Sequence, residues 1–185
     1  MRFNKNKKYL EGKKGFIFDL DGTLVDSMMH WRSFDWSKIN LEEVYVIMKD
    51  LYEEHIPIKR DSLDMLRVFN SLGIKCCIAT ATRSSVCSPC VSRVGLSPYV
   101  EFILCNDDVG KGKQHPDIYL EAARRLGLKV SETVVFEDQL YAATTAKNAG
   151  FTVVAIHDKQ SEGDEEALRA IADDYIENYS ELLEI

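Results

Sequence analysis

Two pairs of carboxylates stand directly after short apolar runs of the sequence. These acids are Asp19, Asp21, Glu137 and Asp138. The first pair follows the run 15–18 and the second follows the run 133–136. Glu137 and Asp138 are adjacent, and two adjacent acids at the end of a buried strand are costly unless a cation pairs with them. Oxygen ligands favour a hard ion such as Mg²⁺, and a carboxylate can also act as a nucleophile or carry a proton. The first pair, with Gly22 behind it, also suits an ordinary turn, in which Asp and Gly are common.

A hydroxyl and a lysine further along the chain could bind an anion. Thr80 ends the apolar run 74–80, and a hydroxyl with free backbone N–H groups at a strand-to-helix junction suits phosphate oxygens. β-Propensity and N-capping also explain a threonine at that place. Lys113 lies in the polar loop 106–113, where Lys111 is the alternative cation.

Five short apolar strands that alternate with helices must position these side chains. The strands are predicted near residues 15–18, 74–80, 101–105, 133–136 and 152–156, with a further short strand near Tyr175. This alternation predicts a parallel sheet covered by helices, and right-handed crossovers bring the carboxyl ends of its strands to one edge. The candidate residues should converge there: Asp19, Asp21, Thr80, Lys113, Glu137 and Asp138.

The segment around Asp19 and the strand end at Thr80 resemble motifs of the haloacid dehalogenase superfamily of phosphoryl-transfer enzymes. Residues 19–23, Asp-Leu-Asp-Gly-Thr, are similar to its first motif, DxDGT. Thr80, at the end of an apolar strand, is similar to its second motif. The resemblance runs from about residue 15 to the C-terminus, except between residues 26 and 56.

The other two places resemble the third and fourth motifs of the same family. Lys113 precedes the Pro-Asp pair 116–117 at the family spacing, which favours Lys113 over Lys111. The acidic pair 137–138 resembles the fourth motif, which binds magnesium. Gln139 stands where members with a helical cap often have serine. This departure is expected to alter the geometry of the loop and to leave the carboxylates in place.

The resemblance implies an α/β fold with two parts. A Rossmann-like three-layer sandwich around a central parallel sheet of five strands would comprise residues 1–25 and 57–185. A small helical cap insertion would comprise residues 26–56.

The resemblance also implies the chemistry, which is hydrolysis of a phosphate monoester by a Mg²⁺-dependent phosphatase through an aspartyl phosphate. Asp19 would be the nucleophile and Asp21 the acid and then the base, with Thr80 and Lys113 completing the catalytic set. The phosphate would be bound by Leu20, Thr80, Ala81 and Lys113. The metal would be bound by Asp19, Asp21 through its carbonyl, Asp138, and Glu137 directly or through water. Dehalogenation is not expected, because the dehalogenase branch lacks an acid at the position of Asp21.

The insertion contains one strong helix signal. Asn40 is a plausible N-cap, and Glu43 completes a capping-box pattern. The apolar residues Leu41, Val44, Met48 and Leu51 then repeat at helical spacing. Packing is the favoured role for its aromatic residues Trp31, Phe34 and Trp36. The candidate substrate-contacting residues of the cap include His30, Trp31 and Arg32.

A cap this short should leave the site open to water. This expectation decides which alternative functions are favoured. A phosphosugar mutase is disfavoured, because it needs a closed cap to keep water from the aspartyl phosphate. Phosphonate cleavage would need a cap lysine, Lys38 or Lys49, within reach of the pocket. A binding module that keeps the fold without turnover is the alternative from another class.

The bulk composition limits the partners. The chain has 185 residues, a net charge of −7 and no apolar run of membrane-spanning length, so neither a nucleic acid polymer nor a membrane is expected. A small phosphate ester, or a larger exposed phosphate, is the expected substrate, bound by a monomer or weak homodimer. Five cysteines and the lack of a secretory signal indicate the cytoplasm. The Cys87–Cys90 pair has CxxC spacing but no second ligand pair for zinc, and residues 1–14 are expected to form a basic, partly disordered lead-in.

Overall fold

The computed structural model describes residues 2–4 and 6–184, and its centre is a parallel sheet of six strands. The described residues form eight strands in all, and six of them make this sheet. The eight strands are β1 (Arg2–Phe3), β2 (Gly15–Phe18), β3 (Lys75–Thr80), β4 (Ile103–Cys105), β5 (Thr133–Glu137), β6 (Thr152–Ile156), β7 (Asp174–Ile176) and β8 (Leu183–Glu184). The order in the large sheet is β4-β3-β2-β5-β6-β7, and β1 pairs with β8 in a separate antiparallel ribbon. The strands that precede the two acidic pairs, β2 and β5, are neighbours at the centre of the sheet.

Helices cover both faces of this sheet. The α-helices are α1 (Met28–Trp31), α2 (Leu41–Glu54), α3 (Ser62–Ser71), α4 (Ser84–Arg93), α5 (Asn106–Val109), α6 (Asp117–Leu126), α7 (Leu140–Asn148) and α8 (Glu165–Ile171). Short 3₁₀ helices span Lys8–Leu10, Ser97–Tyr99, Val130–Glu132, Lys159–Asp164 and Tyr179–Leu182. Within the described residues, every helix is too short or too polar to cross a membrane.

The alternation of side chains along β2 explains the three layers. Phe16 and Phe18 point to one face and join a core that includes Phe69 of α3. Ile17 points to the other face and joins a second core that includes Tyr119 of α6. Because both faces are covered, all four residues of β2 are buried, as a continuous apolar run predicts.

The predicted strand count was one too low. The α/β fold and its parallel sheet are confirmed, but β7 pairs in parallel with β6 and makes a sixth strand. Only three residues form β7, and Tyr175 is its centre, so the apolar signal of this strand is short. A short strand was predicted at this place, but its pairing at the edge of the sheet was not.

The segment 26–56, here called the cap segment, contains α1 and α2. The capping box is present at the start of α2, with each of its two hydrogen bonds between Asn40 and Glu43 measuring 3.0 Å. The buried side chains of α2 are Val44, Met48 and Tyr52, and this face packs against α4. Leu41 is instead 45% exposed.

The N-terminal segment is part of the folded structure and not a disordered lead-in. Leu10 is buried in the core, and Lys7 forms an ion pair of 2.6 Å with Asp174 of β7. The Tyr9 hydroxyl donates to the same carboxylate. The basic residues here therefore pair with an acid of the sheet edge, while Met1 and Lys5 lie outside the described residues.

Candidate active site

A buried lysine lies between two of the predicted acids. The Lys113 ammonium, on a side chain only 3% exposed, donates to Asp19 Oδ1 and to Glu137 Oε1, the latter at 2.6 Å. The Tyr119 hydroxyl donates to the same Glu137 oxygen at 2.6 Å. Asp19 extends the ladder beyond β2, because its N–H donates to the carbonyl of Phe136 at 2.9 Å. The parallel sheet thus brings the ends of β2 and β5 and the loop before α6 to one point.

Asp21 is surrounded by hydroxyl groups. Its Oδ1 accepts hydrogen bonds from Ser27 Oγ, at 2.6 Å, and from the hydroxyl of Tyr52. Its Oδ2 accepts from Thr82 Oγ1 at 2.7 Å and from Thr80 Oγ1 at 3.3 Å. Four donors from three parts of the chain therefore fix the orientation of this carboxyl group.

Leu20, Thr80 and Ala81, the predicted phosphate-binding residues near the ends of β2 and β3, differ in whether they face the cavity or the core. Thr80 is fully buried, and its Oγ1 also accepts the N–H of Thr82 at 3.0 Å. Ala81 and Thr82 line the cavity described below. The Leu20 side chain packs in the hydrophobic core, so only its main chain could face a ligand.

The chain turns sharply where it passes Asp138. Gly22 adopts φ +85°, and a Cβ atom at this residue would lie 2.5 Å from Asp138 Oδ2. Asp138 itself is fully buried and accepts hydrogen bonds from Gln139 and, at 3.2 Å, from Ser161. Glycine at position 22 therefore permits both the backbone conformation and the close approach of the carboxylate.

Burial dominates the electrostatics of the acids. It raises the pKa of Asp19 well above its usual value, although the Lys113 ammonium acts in the opposite direction. Burial and the adjacent Glu137 carboxylate raise the pKa of Asp138 to about 7. Burial alone would lower the pKa of Lys113, but Asp19 and Glu137 more than offset it, so its net pKa is raised and the ammonium stays charged.

Two buried tyrosines remain protonated beside these acids. Burial and the Asp21 carboxylate raise the pKa of Tyr52 well above its usual value. Burial and the Glu137 carboxylate do the same for Tyr119. Both hydroxyls are therefore donors to carboxylates at neutral pH.

A cavity of about 340 Å³ opens above the acids. Its floor includes Asp19, Asp21, Lys113 and Glu137. Its other side is apolar and comes largely from the cap segment: Met28, Trp31, Leu41 and Tyr45. A polar floor under an apolar wall is typical of a site for a small ligand. Trp31 is thus both a packing residue, edge-on to Tyr45 with ring centroids 5.9 Å apart, and part of the cavity wall.

The acids at the floor fit a hard divalent cation. Asp19, Glu137 and Asp138 are buried and each offers a carboxylate oxygen, these atoms lying within 4.8 Å of one another. Among the described residues, Asp19 Oδ2 is one of two buried side-chain polar atoms without a hydrogen-bond partner. Carboxylate oxygens grouped in this way are the kind of ligand that Mg²⁺ prefers, and the unpaired Asp19 oxygen leaves this carboxylate open to a ligand.

The other candidate residues lie apart from the cavity floor. Lys111 is half exposed and pairs with Asp117 at 2.7 Å. Cys87 and Cys90 are buried free thiols on α4, and no cysteine belongs to the acidic group in the described part of the chain. Arg32 reaches Gln139 at 3.5 Å, and His30 is not among the cavity-lining residues.

Sequence reasoning missed four side chains of the site: Ser27, Tyr52, Thr82 and Tyr119. Their signals are faint, because hydroxyl residues occur throughout the sequence and nothing in their spacing distinguishes them. Tyr52 had one available clue, since it follows Met48 by four residues and so shares the buried face of α2.

The sequence is similar to those of known hydrolases. A family model described as haloacid dehalogenase-like hydrolase matches residues 32–150. Hexitol phosphatase A of Escherichia coli (strain K12) is 29% identical, the alignment covering 78% of this chain and 83% of the relative. Phosphorylated carbohydrates phosphatase of Thermotoga maritima is 32% identical over 59% of this chain and 49% of its own length.

A solved structure shows the same fold. The crystal structure of CbbY from Rhodobacter sphaeroides in complex with phosphate has a TM-score of 0.73 and 21% identity, covering 92% of this chain and 96% of that one. The family match spans more than half of the sequence. The chain therefore belongs to the haloacid dehalogenase-like hydrolases.

Proposed function

We propose that the chain is a Mg²⁺-dependent phosphatase that hydrolyses small phosphate monoesters through a phosphorylated Asp19. The observation that carries this proposal is the state of the Asp19 carboxylate. Lys113 holds its Oδ1, while Oδ2 has no partner and the residue faces the cavity. An oriented carboxylate with a free oxygen in a small pocket is suited to nucleophilic attack on phosphorus.

In the first step, Asp19 forms a bond to phosphorus as the bond from phosphorus to the ester oxygen breaks. The alcohol leaves with a proton from the Asp21 carboxyl group, which becomes a carboxylate. In the second step, Asp21 takes a proton from water as the water oxygen attacks phosphorus. Asp19 is released as a carboxylate, inorganic phosphate departs, and Asp21 again carries its proton.

The remaining polar groups would bind and orient the phosphoryl oxygens. Lys113 would neutralise charge on these oxygens, and Ala81 and Leu20 would contribute backbone N–H groups. Thr80 would act through Asp21, because its hydroxyl is buried and bonded there. Asp19, Asp138, Glu137 and the carbonyl of Asp21 would hold Mg²⁺, which supplies charge neutralisation and polarises the phosphoryl group.

The cap segment, residues 26–56, would form a small lid beside a core made of residues 1–25 and 57–185. Its two helices supply part of the cavity wall, and this supports an open site that admits small phosphate esters. The relatives named above act, by their names, on hexitol phosphates and phosphorylated carbohydrates. A sugar or polyol phosphate is accordingly the first substrate class to test.

Two alternatives receive less support. Phosphonate cleavage needs a cap lysine in the pocket, but Lys38 is 79% exposed and paired with Asp35, and Lys49 is 56% exposed near Glu53. Mutase action needs water to be excluded, and a cap of two helices offers little cover. A binding module without turnover would have no use for the buried charge arrangement around Lys113.

The test is phosphate release from a panel of sugar, polyol and aryl phosphates, in Mg²⁺ or in EDTA. We expect release in Mg²⁺ only, and loss of release in Asp19→Asn. Asp64→Asn, an exposed acid paired with Arg67 on α3, is the matched control. Release that survives both EDTA and Asp19→Asn, or no release from any ester, would overturn the proposal.

A further inference from the structure

The hydroxyl of Tyr52 connects the cap segment directly to Asp21. Tyr52 lies in the last turns of α2, is fully buried, and donates its hydroxyl hydrogen to Asp21 Oδ1. Three other donors hold the same carboxyl group, but Tyr52 is the one that α2 supplies. The cap helix therefore supplies one of the four hydrogen bonds that orient Asp21.

The direction of this hydrogen-bond chain is fixed by a tryptophan. Trp31 Nε1 lies 2.8 Å from the Tyr52 oxygen, and an indole N–H can only donate. The Tyr52 oxygen must therefore accept from Trp31, and its own hydrogen is directed to Asp21. Since Trp31 also lines the cavity, one side chain contacts both the place of the ligand and the residue that holds Asp21.

The end of α2 that carries Tyr52 is tied to the core. Arg93 of α4 donates to the carbonyl of Tyr52 at 3.2 Å and to the carbonyl of Ile56 at 2.5 Å. These bonds hold the backbone on which the Tyr52 side chain stands. Tyr52 is thus a fixed support for Asp21 and not a residue on a mobile tip.

We propose that Tyr52 is a positioning residue that orients Asp21 for proton transfer to the leaving oxygen, and that Trp31 links the occupant of the cavity to this contact. The inference rests on the proposed phosphatase function, in which Asp21 is the acid and then the base. As the proton leaves Asp21, negative charge develops on its carboxyl group, and a donor already in place stabilises that charge.

This role predicts an effect that depends on the leaving group. An alcohol leaves poorly without a proton, so hydrolysis of an alkyl phosphate needs a well-oriented Asp21. A nitrophenolate leaves without one, so formation of the aspartyl phosphate from p-nitrophenyl phosphate does not depend on this proton. Loss of packing alone would slow both esters alike.

The experiment compares kcat/KM, which reports the steps up to formation of the aspartyl phosphate, for p-nitrophenyl phosphate and for the fastest alkyl phosphate of the panel, in wild type and Tyr52→Phe. We expect Tyr52→Phe to lower kcat/KM on the alkyl ester by about tenfold or more relative to the aryl ester, as for a lost hydrogen bond to a charged group. Trp31→Phe should move the same ratio in the same direction by a smaller factor. If Tyr52→Phe does not fold, the Trp31→Phe variant tests the proposal in its place.

Tyr179→Phe is the matched control, because Tyr179 is another fully buried tyrosine, whose hydroxyl donates to the backbone carbonyl of Thr23 at 3.0 Å. For this variant, the ratio of the rate constants for the alkyl and aryl esters should equal that of wild type. If Tyr52→Phe and Trp31→Phe leave the ratio between the two esters unchanged, the positioning role is wrong. If wild type hydrolyses neither ester, it is the proposed function that fails.

Discussion

The ammonium of Lys113 is buried against the carboxylate of Asp19, so the residue proposed to attack phosphorus is held by a positive charge whose side chain is only 3% exposed. Burial of either group alone would be costly, and each compensates the other. The same ammonium forms a second ion pair, with 2.6 Å between Lys113 Nζ and Glu137 Oε1. The site is therefore an electrostatic unit whose parts cannot be removed singly without consequence.

Lys113→Met should both inactivate and destabilise the protein. Removing the ammonium leaves the buried carboxylates of Asp19 and Glu137 facing each other, and breaking such a group typically costs about 3–5 kcal/mol. Loss of positive charge at the phosphoryl oxygens should lower kcat by at least about 100-fold. Thermal unfolding and phosphate release measure the two effects.

Lys111→Met is the matched control for this lysine. Lys111 is half exposed and its pair with Asp117 is at the surface, so stability should change by less than about 1 kcal/mol. Equal loss of stability and activity in the two variants would contradict the role assigned to Lys113.

Gly22→Ala should lower the stability of the protein through backbone strain and should also disturb the position of Asp138. The added methyl group would lie 2.5 Å from Asp138 Oδ2, at φ +85°. Strain at a positive φ costs of order 1–3 kcal/mol, and displacement of Asp138 should weaken Mg²⁺ binding. Urea unfolding and Mg²⁺ titration of activity are the measurements.

Gly73→Ala separates these two effects. Gly73 has φ +74° but nothing lies within 4 Å of an added Cβ. It should lose stability through the backbone alone and keep its Mg²⁺ requirement unchanged. If Gly22→Ala binds Mg²⁺ as tightly as Gly73→Ala does, the close approach to Asp138 has no functional meaning.

Stability without metal should fall as the pH rises. The pKa of Asp138 is about 7 in the folded protein and near its ordinary value after unfolding, so the folded state binds more protons over this interval. The stabilisation is complete below the ordinary pKa and is lost as the pH passes about 7. For Asp138 the loss is at most about 4 kcal/mol of unfolding free energy.

Mg²⁺ should reverse this trend, because it binds the deprotonated acids. The rise in Tm on replacing EDTA by Mg²⁺ should therefore grow between about pH 5 and pH 8. Asp138→Asn should flatten the pH dependence measured in EDTA. A metal effect that shrinks as the pH rises would contradict this linkage.

The motifs allowed the fold and the acidic floor to be predicted, because both depend on local patterns. Continuous apolar runs marked the central strands, and the parallel sheet then required Asp19 and Asp138 to meet at one edge. The short strand around Tyr175 was predicted, but its place as the sixth strand of the sheet was not, because a run of three residues does not indicate which strand it pairs with.

The surroundings of Asp21 could not be predicted, because they depend on tertiary packing. Tyr52 looks like one more apolar position on α2, and only the packing of α2 on α4 directs its hydroxyl to Asp21. Thr82 likewise lines the cavity, whereas Thr80 at the end of β3 is fully buried, and this difference depends on how the chain turns after β3.

The most direct measurement is a search for a phosphoryl group on Asp19 itself. Asp21→Asn with p-nitrophenyl phosphate and Mg²⁺ should form the aspartyl phosphate, since this leaving group needs no proton, and should hydrolyse it slowly without the base. Rapid acid quenching and mass spectrometry of the peptide containing Asp19 then give the answer. We expect one added phosphoryl group on Asp19 and none in the double variant that also carries Asp19→Asn. A burst of nitrophenol with Asp19 unmodified would contradict the proposed mechanism.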